Sequence, residues 1–241
     1  MSGHSKWATI KRAKASTDAK KGKLLTKASR EIMLAVKQGG PDPAGNSKLR
    51  EAIVKAKAAS MPNDSIQRSI KKAAGDQDSA NYEEIVYEGY GPGGVAIIVE
   101  AATDNRNRTA GDVRHLFDKC GGNLGALGCV SFMFDRKGII IIEKTTKIDE
   151  ENLMAAAIEA GADDFTIEEE YFEVTTSPDN FSAVHEMLEK AGYSIESAEV
   201  QRVPQTYVEL TDPKQAEMME KLIDSLEDLD DVQNVFHNWE Q

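Results

Sequence analysis

The chain has 241 residues and a formal net charge of −12, from 29 Lys and Arg against 41 Asp and Glu. Its length allows roughly one to three domains with hydrophobic cores of their own. Taken as a sum, the charge argues against nucleic acid as a partner. No apolar stretch approaches the roughly 18 residues that a membrane-spanning helix needs, so no membrane partner is predicted.

The charge is distributed unevenly along the chain. Residues 1–75 hold 17 basic and 5 acidic side chains, whereas residues 76–241 hold 12 basic and 36 acidic ones. Such an asymmetry indicates a polyanionic partner for the basic part. Nucleic acid therefore becomes a candidate partner for residues 1–75.

The cysteine content and the N-terminal sequence both predict a cytoplasmic protein. Cys120 and Cys129 are too few for a disulfide framework or a four-thiolate zinc site. Lys6, Lys11 and Lys14 lack the apolar segment that follows the charged start of an export signal.

The basic part is predicted to be an arm followed by three helices. Residues 1–23 carry lysines around Trp7 with almost no apolar periodicity, so this arm is expected to become ordered on an anionic partner. Apolar residues then recur at helical spacing in three segments that end at glycines or polar turns. We predict helices over 24–38, 47–60 and 65–74.

Beyond a polar linker at residues 76–81 the pattern changes to strands. A hairpin is predicted over 84–101, with its turn in the Gly- and Pro-containing segment 89–93. Thr109 is predicted to cap the helix that follows. Residues 129–134 alternate as a strand would.

A second α/β pattern starts at residue 139. Residues 139–203 follow the order βαββαβ, which is the ferredoxin-like arrangement. Residues 82–134 lack the second half of such a sandwich, and 206–241 supply a strand, a helix and a final strand. Two alternatives stay open at this point: residues 139–203 are inserted into a discontinuous domain, or three domains follow in series.

The predicted fold class is α+β and multidomain. A three-helix basic domain at the N-terminus precedes two α/β sandwich (ferredoxin-like) domains, one inserted in the other. The predicted domain bounds are 1–78 for the arm and helical bundle, 79–138 with 204–241 for a discontinuous α/β domain, and 139–203 for the inserted domain.

Signatures of catalysis are weak. Residues 185–189 read HExxE and lack the second His of a zinc protease, so they are interpreted as polar positions on an amphipathic helix. The glycine-rich segment 121–128 follows a helix and lacks the Gly-Lys-Ser/Thr of a phosphate loop, which leaves a flexible connection or a backbone-lined contact with RNA. The N-terminal Ser2-Gly3-His4 is a weak Cu(II) or Ni(II) pattern. We predict no catalytic residue, metal, cofactor or small-molecule substrate.

The arm carries the strongest functional pattern. Residues 1–30 hold nine Lys and Arg against one acid, Asp18. Cations of this density bind phosphates by releasing counterions, which makes binding sensitive to salt. Trp7 either stacks on an exposed base or packs onto the helical bundle. The predicted nucleic-acid contacts in this part are Lys6, Trp7, Lys11, Arg12, Lys14, Lys20, Lys21, Lys23, Lys27 and Arg30.

Residues 104–109, DNRNRT, form a second candidate site where a strand leads into a helix. Arg106 and Arg108 there can hold a phosphate or a carboxylate, together with the amides at the helix N-terminus. The alternative is local: Asp104 and the asparagines cap the turn, and the arginines pair with acids of their own domain. Arg106 and Arg108 complete the set of predicted contacts.

Five motifs resemble those of the YebC/PmpR family, and the similarity continues to Trp239. They are SGHSKW at 2–7, DAKKGK at 18–23, YEGYGPGG at 87–94, DNRNRT at 104–109 and GGNLG at 121–125. The resemblance implies three domains, a cytoplasmic location in bacteria and no catalytic activity. It also implies DNA-binding transcriptional regulation for bacterial members, translational activation for organellar ones, and a role linked to the ribosome.

We therefore predict a non-enzymatic, nucleic-acid-binding regulator of gene expression, with transcriptional regulation through DNA as the first interpretation. A translation factor associated with the ribosome, rRNA or tRNA is the alternative, because the acidic remainder would repel a long duplex and confine contact to one end. A further alternative is an acidic module that docks basic proteins.

Overall fold

The structure is a computed structural model that describes residues 18–75, 82–146 and 148–240, with side chains described from residue 22 onward. The three largest hydrophobic clusters of the described residues lie between helices or between helices and antiparallel sheets, and the α+β, multidomain fold class predicted from the sequence is confirmed. None of the helices in these ranges is both long and apolar enough to span a membrane.

The N-terminal part packs three helices around one apolar cluster. The core holds Ile32, Leu49 and Ile66 at helical spacing with smaller side chains between them. Buried Asn46 joins the first two helices: its Oδ1 accepts from the Leu49 amide at 3.0 Å, and its Nδ2 donates to the carbonyl of Ala35 at 2.7 Å. The helices are α1 (Asp18–Gly39), α2 (Ser47–Ala58) and α3 (Asn63–Gly75).

The next part is a four-stranded antiparallel sheet covered by two helices. Its strand order is β3-β1-β2-β9, so the last long strand of the chain pairs with β2. Phe117 and Leu222, one from each covering helix, pack with Val99 in its core. The elements are β1 (Glu83–Tyr90), β2 (Ala96–Thr103), α4 (Arg106–Lys119), β3 (Asn123–Leu124), α7 (Pro213–Asp228) and β9 (Val232–His237).

A second four-stranded sheet has the order β5-β6-β4-β7, with antiparallel pairing throughout. Its two helices pack on one face around Leu153, Phe172 and Leu188. This is the predicted βαββαβ order. The elements are β4 (Phe134–Glu143), α5 (Glu150–Ala160), β5 (Asp164–Ile167), β6 (Tyr171–Thr176), α6 (Phe181–Lys190) and β7 (Ile195–Pro204).

Strands β4 and β7 run on past the predicted domain bounds. Their pairing extends from Ile142 with Ile195 to Phe134 with Pro204, so residues 138–139 and 203–204 lie inside continuous strands. The connection between the two sheets is therefore a two-stranded ribbon. After it, β8 (Val208–Glu209) and β10 (Trp239–Glu240) form a short parallel pair.

Two local predictions are wrong. Residues 129–133 are not a strand and include a 3-10 turn, and β4 begins at Phe134. The reason is that the Glu88 carboxylate accepts hydrogen bonds from the amides of Val130 and Ser131 at 2.9 and 2.8 Å. Those amides are not free for a strand partner. Helix α4 is capped by Asn105, whose side chain accepts from the Arg108 amide, and Thr109 is buried inside the helix.

Candidate nucleic-acid interface

The predicted contact residues fall into two groups. Seven have side chains outside the described part of the chain: Lys6, Trp7, Lys11, Arg12, Lys14, Lys20 and Lys21. The structure describes the other five: Lys23, Lys27, Arg30, Arg106 and Arg108. Both hypotheses for Trp7, stacking on a base and packing on the bundle, stay predictions.

One face of α1 carries three cations at spacings of four and three residues, here called the α1 row: Lys23, Lys27 and Arg30. They contact the C-terminal end of α7 and the turn after it, residues 227–231, here called the α7 end. Lys23 Nζ lies 3.1 Å from the carbonyl oxygen of Asp228 and 3.3 Å from its Oδ1. Lys27 Nζ donates to the carbonyl oxygen of Glu227 at 2.6 Å. The row thus meets acceptor oxygens of the acidic part of the chain.

Arg30 is the most enclosed member of the row, with 15% of its side chain exposed. Its Nη1 donates to the carbonyl oxygen of Asp230 and lies 3.2 Å from Oδ1 of Asp231. The guanidinium also lies over the Tyr82 ring, 5.2 Å from its centroid, at cation–π distance. Arg30 therefore joins the helical part to two segments of the first sheet domain, one just before β1 and one just before β9.

Asp231 is the centre of a hydrogen-bond network. Its Oδ2 accepts from Arg108 Nη2 at 2.7 Å and from Thr109 Oγ1 at 2.8 Å, and it lies 3.3 Å from Thr103 Oγ1. Burial alone would raise the pKa of this carboxyl, but the hydrogen bonds from Arg108 and Thr109 and the nearby Arg30 charge lower it. Asp231 is therefore ionised at neutral pH.

A crevice of about 560 Å³ opens between α1, α4 and the α7 end. Three cations and five carboxylates line it, so its walls mix both signs. The charged lining is Lys23, Arg30, Arg108, Asp104, Asp112, Asp228, Asp230 and Asp231.

The two arginines of α4 are engaged by carboxylates. Arg108 contacts Asp104 at 2.9 Å as well as Asp231, and Arg106 lies 3.6 Å from Glu83. These are contacts with acids of the same domain, which the second interpretation of residues 104–109 predicted.

The outer face of α3 carries cations that the sequence-based set of contacts missed. Arg68, Lys71 and Lys72 are exposed, on the side away from buried Ile66 and Ile70. Among the residues that the structure describes, Arg68 bonds only its own helix, at the carbonyl of residue 64 and the hydroxyl of residue 65. Within the described ranges, no carboxylate is paired with these three side chains. Their spacing of three and four residues, opposite the apolar stripe, was the signal in the sequence.

Lys55 lies at a junction between the three parts of the fold. Its Nζ lies 3.2 Å from Glu31, 2.9 Å from Oδ1 of Asn234 and 3.9 Å from Glu199. These partners come from α1, β9 and β7. Burial alone would lower the pKa of Lys55, but Glu31 and Glu199 raise it above its ordinary value. Lys55 is thus a structural cation between all three parts of the fold.

The glycine-rich segment after α4 is followed by residues that are hydrogen-bonded to β1. Buried Glu88 holds its far end through the two amides given above, and the Tyr90 hydroxyl donates to the carbonyl of Cys129 at 3.2 Å. The loop leaves Leu127 76% and Phe132 70% exposed. Both interpretations of segment 121–128, a flexible connection and a backbone-lined contact with RNA, stay predictions.

The HExxE segment lies on α6 as an amphipathic helix would place it. His185 is buried, with its ring 6.2 Å from that of Phe181, and burial lowers its pKa. Throughout the described residues, no group of three or more His, Cys, Asp or Glu side chains could hold a metal ion.

The sequence matches one protein family along almost its whole length. Residues 5–76 match the TACO1/YebC protein N-terminal domain, and residues 82–239 match the TACO1/YebC second and third domain. The chain belongs to the TACO1/YebC family. This confirms the resemblance that the sequence motifs indicated.

Relatives in this family cover the chain end to end. A protein of Acetivibrio thermocellus is 69% identical over 239 residues, covering 99% of both chains. One of Ruminiclostridium cellulolyticum is 61% identical over 241 residues, covering 100% of this chain and 97% of its own. Both bear the name "Probable transcriptional regulatory protein". The crystal structure of a conserved hypothetical protein from Aquifex aeolicus is 49% identical, covers 94% of this chain and 93% of its own, and superposes with a TM-score of 0.84.

Proposed function

We propose that this TACO1/YebC protein is a non-enzymatic regulator of gene expression that works in the cytoplasm by binding nucleic acid through its basic N-terminal part. The names of its relatives support a regulatory role. The observation that carries nucleic-acid binding is the outer face of α3, where three exposed cations have no carboxylate partner among the described residues.

The geometry of this face suits a phosphate backbone. Arg68 and Lys72 are four residues apart and lie about one helical turn, or roughly 5.4 Å, from each other along α3. Lys71 is three residues from Arg68 and widens the same face. Long cationic side chains on a helix neutralise phosphates and release counterions, which gives affinity without reading the base sequence. In this proposal the arm contacts the bases, with Trp7 stacking on an exposed base.

DNA is the first candidate, since the relatives are named as transcriptional regulators. Structured RNA of the ribosome or tRNA is the second, and the distribution of charge favours it. Residues 76–241 carry 36 acidic side chains against 12 basic ones, which would repel a long duplex lying across the molecule. A folded RNA can instead touch the basic end alone.

A salt series on the full chain tests the proposal. Binding is measured to a DNA duplex and to an RNA hairpin of equal length between about 50 and 300 mM salt. The variant Arg68→Gln/Lys71→Gln/Lys72→Gln should lower the slope of log K against log salt by about 2 to 3 for the duplex. The control Lys190→Gln/Lys214→Gln/Lys221→Gln removes the same charge from the acidic part and should leave the slope unchanged.

The outcomes separate the alternatives. Tighter binding to the hairpin supports the translation-factor alternative, and tighter binding to the duplex supports transcriptional regulation. If the unaltered chain binds neither probe, or if both variants change the slope equally, the proposal is wrong.

A further inference from the structure

The contact between the α1 row and the α7 end joins the two oppositely charged parts of the chain. The row runs along one face of α1 over seven residues, or about 10 Å. Each of its three cations meets at least one oxygen of residues 227–231. These cations belong to the segment that the charge distribution assigns to nucleic acid.

The atoms facing the row are hydrogen-bond-accepting oxygens, as the oxygens of a phosphate backbone are. Two of them are the main-chain carbonyl oxygens of Glu227 and Asp228 in the last turn of α7, where carbonyls lack partners within the helix and the helix dipole is negative. A third is the carbonyl oxygen of Asp230 in the turn after the helix. The carboxylates of Asp228 and Asp231 add full negative charges within 3.3 Å of the row. Glu227 and Asp230 contribute further negative charge around Lys27. The row is thus held by carbonyl oxygens, which carry partial negative charge, and by two carboxylates.

We propose that the α7 end occupies a phosphate-binding row of α1 in the free protein, and that a nucleic-acid backbone reaches this row only by displacing it. The inference rests on the proposed function and deepens it. It adds the α1 row as an interaction surface and makes the acidic C-terminal region a competitor for that surface.

The strength of the contact is graded along the row. Lys23 and Asp228 are 46% and 67% exposed, and such pairs are weak and screened by salt. Arg30 and Asp231 are only 15% and 11% exposed, so this pair is the more persistent one. A phosphate backbone would therefore displace the contacts at Lys23 and Lys27 first, while Arg30 keeps the two parts joined.

If the contact between the α1 row and the α7 end only stabilises the structure, then neutralising the carboxylates of the α7 end should change nucleic-acid affinity in the opposite direction. If the α7 end positions α1 for binding, then neutralising its carboxylates should weaken binding to nucleic acid. If it competes with phosphate, neutralising them should strengthen binding. The sign of the change in affinity decides between the two.

The test uses the full chain with Asp228→Asn/Asp230→Asn and a labelled RNA hairpin. At about 100 mM salt we expect this variant to bind roughly 3- to 10-fold more tightly, because two exposed carboxylates near the cations are lost. The gain in affinity should be smaller at higher salt. The control Glu159→Gln/Glu217→Gln makes the same change in net charge away from the row and should alter affinity less than twofold. The hairpin is replaced by a DNA duplex of equal length in a parallel arm.

A second pair of variants links the gain to the row itself. In a chain that already carries Lys23→Gln/Lys27→Gln, adding Asp228→Asn/Asp230→Asn should give no gain, as a double-mutant cycle requires for groups that interact. Equal gains from the control and the test variant would overturn the inference, and so would weaker binding by the test variant. If the unaltered chain binds neither probe, then the proposed function fails as well; if it binds and only the gain is missing, this inference alone fails.

Discussion

The Arg108 guanidinium donates to the Asp231 carboxylate at 2.7 Å across 123 residues of sequence. The same carboxylate accepts from Thr109 on α4 and lies 3.2 Å from Arg30 on α1. One side chain in the turn between α7 and β9 therefore holds the first sheet domain together and fastens the helical part to it.

Asp231→Asn should lower the free energy of unfolding by about 2 kcal/mol at pH 7, because a buried charged acceptor with several donors is lost. Urea denaturation measures this. Asp112→Asn, which lines the same crevice, is the control and should change stability by less than about 0.5 kcal/mol. Equal losses in the two variants would contradict the role given to Asp231.

The pH dependence of this contribution has a definite sign. The pKa of Asp231 in the folded chain is below its ordinary value of 3.8. The stabilisation is therefore complete above about pH 4 to 5 and is lost as the pH falls through the folded pKa. The stability difference between the unaltered chain and Asp231→Asn should accordingly shrink below about pH 4.

Glu88 fixes the loop that carries exposed Leu127 and Phe132. Burial alone would raise its pKa, but hydrogen bonds from the amides of Val130, Gly128 and Ser131 lower it. Glu88→Gln should cost about 1 to 3 kcal/mol of stability and speed amide hydrogen exchange at Val130 and Ser131. Hydrogen exchange read by mass spectrometry measures the second effect.

The matched control for Glu88 is Glu84→Gln on the same strand. Glu84 is half exposed and lies 3.7 Å from Lys48, a surface pair worth about 0 to 1 kcal/mol. Unchanged exchange in the loop of the Glu88→Gln chain would show that the loop is held by other contacts.

The sequence predicted elements well where the pattern is local. The helix over 150–160 and the strand over 232–237 have the bounds expected from apolar periodicity alone. The strand predicted at 129–134 failed because Glu88, 42 residues away, takes its amides. Thr109 was predicted to cap α4 because a threonine hydroxyl can accept from a helix amide. In the structure this hydroxyl donates to the Asp231 carboxylate.

The candidate site shows the same division. The density of basic residues along the chain indicated Lys23, Lys27 and Arg30, because this density can be counted in the sequence. It could not reveal that residues 227–231 lie against them, because that contact depends on how α7 packs on the sheet. The face of α3 could have been found, since its spacing of three and four residues is local.

Lys55→Met should destabilise the chain by about 2 to 3 kcal/mol, because the partly buried Glu31 carboxylate would lose the cation that lies 3.2 Å from it. The effect should exceed that of Lys57→Met, an exposed position on the same helix. Thermal unfolding of both variants measures this. If Lys57→Met costs as much, then the loss comes from changing the helix surface and not from the junction.

Two glycines give opposite expectations for the same change. Gly111 lies in the middle of α4 with nothing within 4 Å of an added β-carbon, so Gly111→Ala should stabilise by about 0.5 to 1 kcal/mol. At Gly89 a β-carbon would lie 2.5 Å from the carbonyl oxygen of Asn123, so Gly89→Ala should destabilise through displacement of β3. Denaturant midpoints of the two variants measure the difference. Loss of stability in both would contradict the assignment of Gly111 to open space.

Fragment folding tests our proposal that the second sheet is an inserted domain. Residues 134–204 contain all four strands of the β5-β6-β4-β7 sheet and both helices that cover it. This fragment should therefore unfold cooperatively when expressed alone. Residues 82–133 lack α7 and β9, which supply five of the eleven buried residues in the apolar cluster of the first sheet, and should fold only when residues 205–240 are added. Circular dichroism during heating distinguishes these states, and an unfolded 134–204 fragment would show that contacts with the first sheet and the helical part are needed to complete the domain.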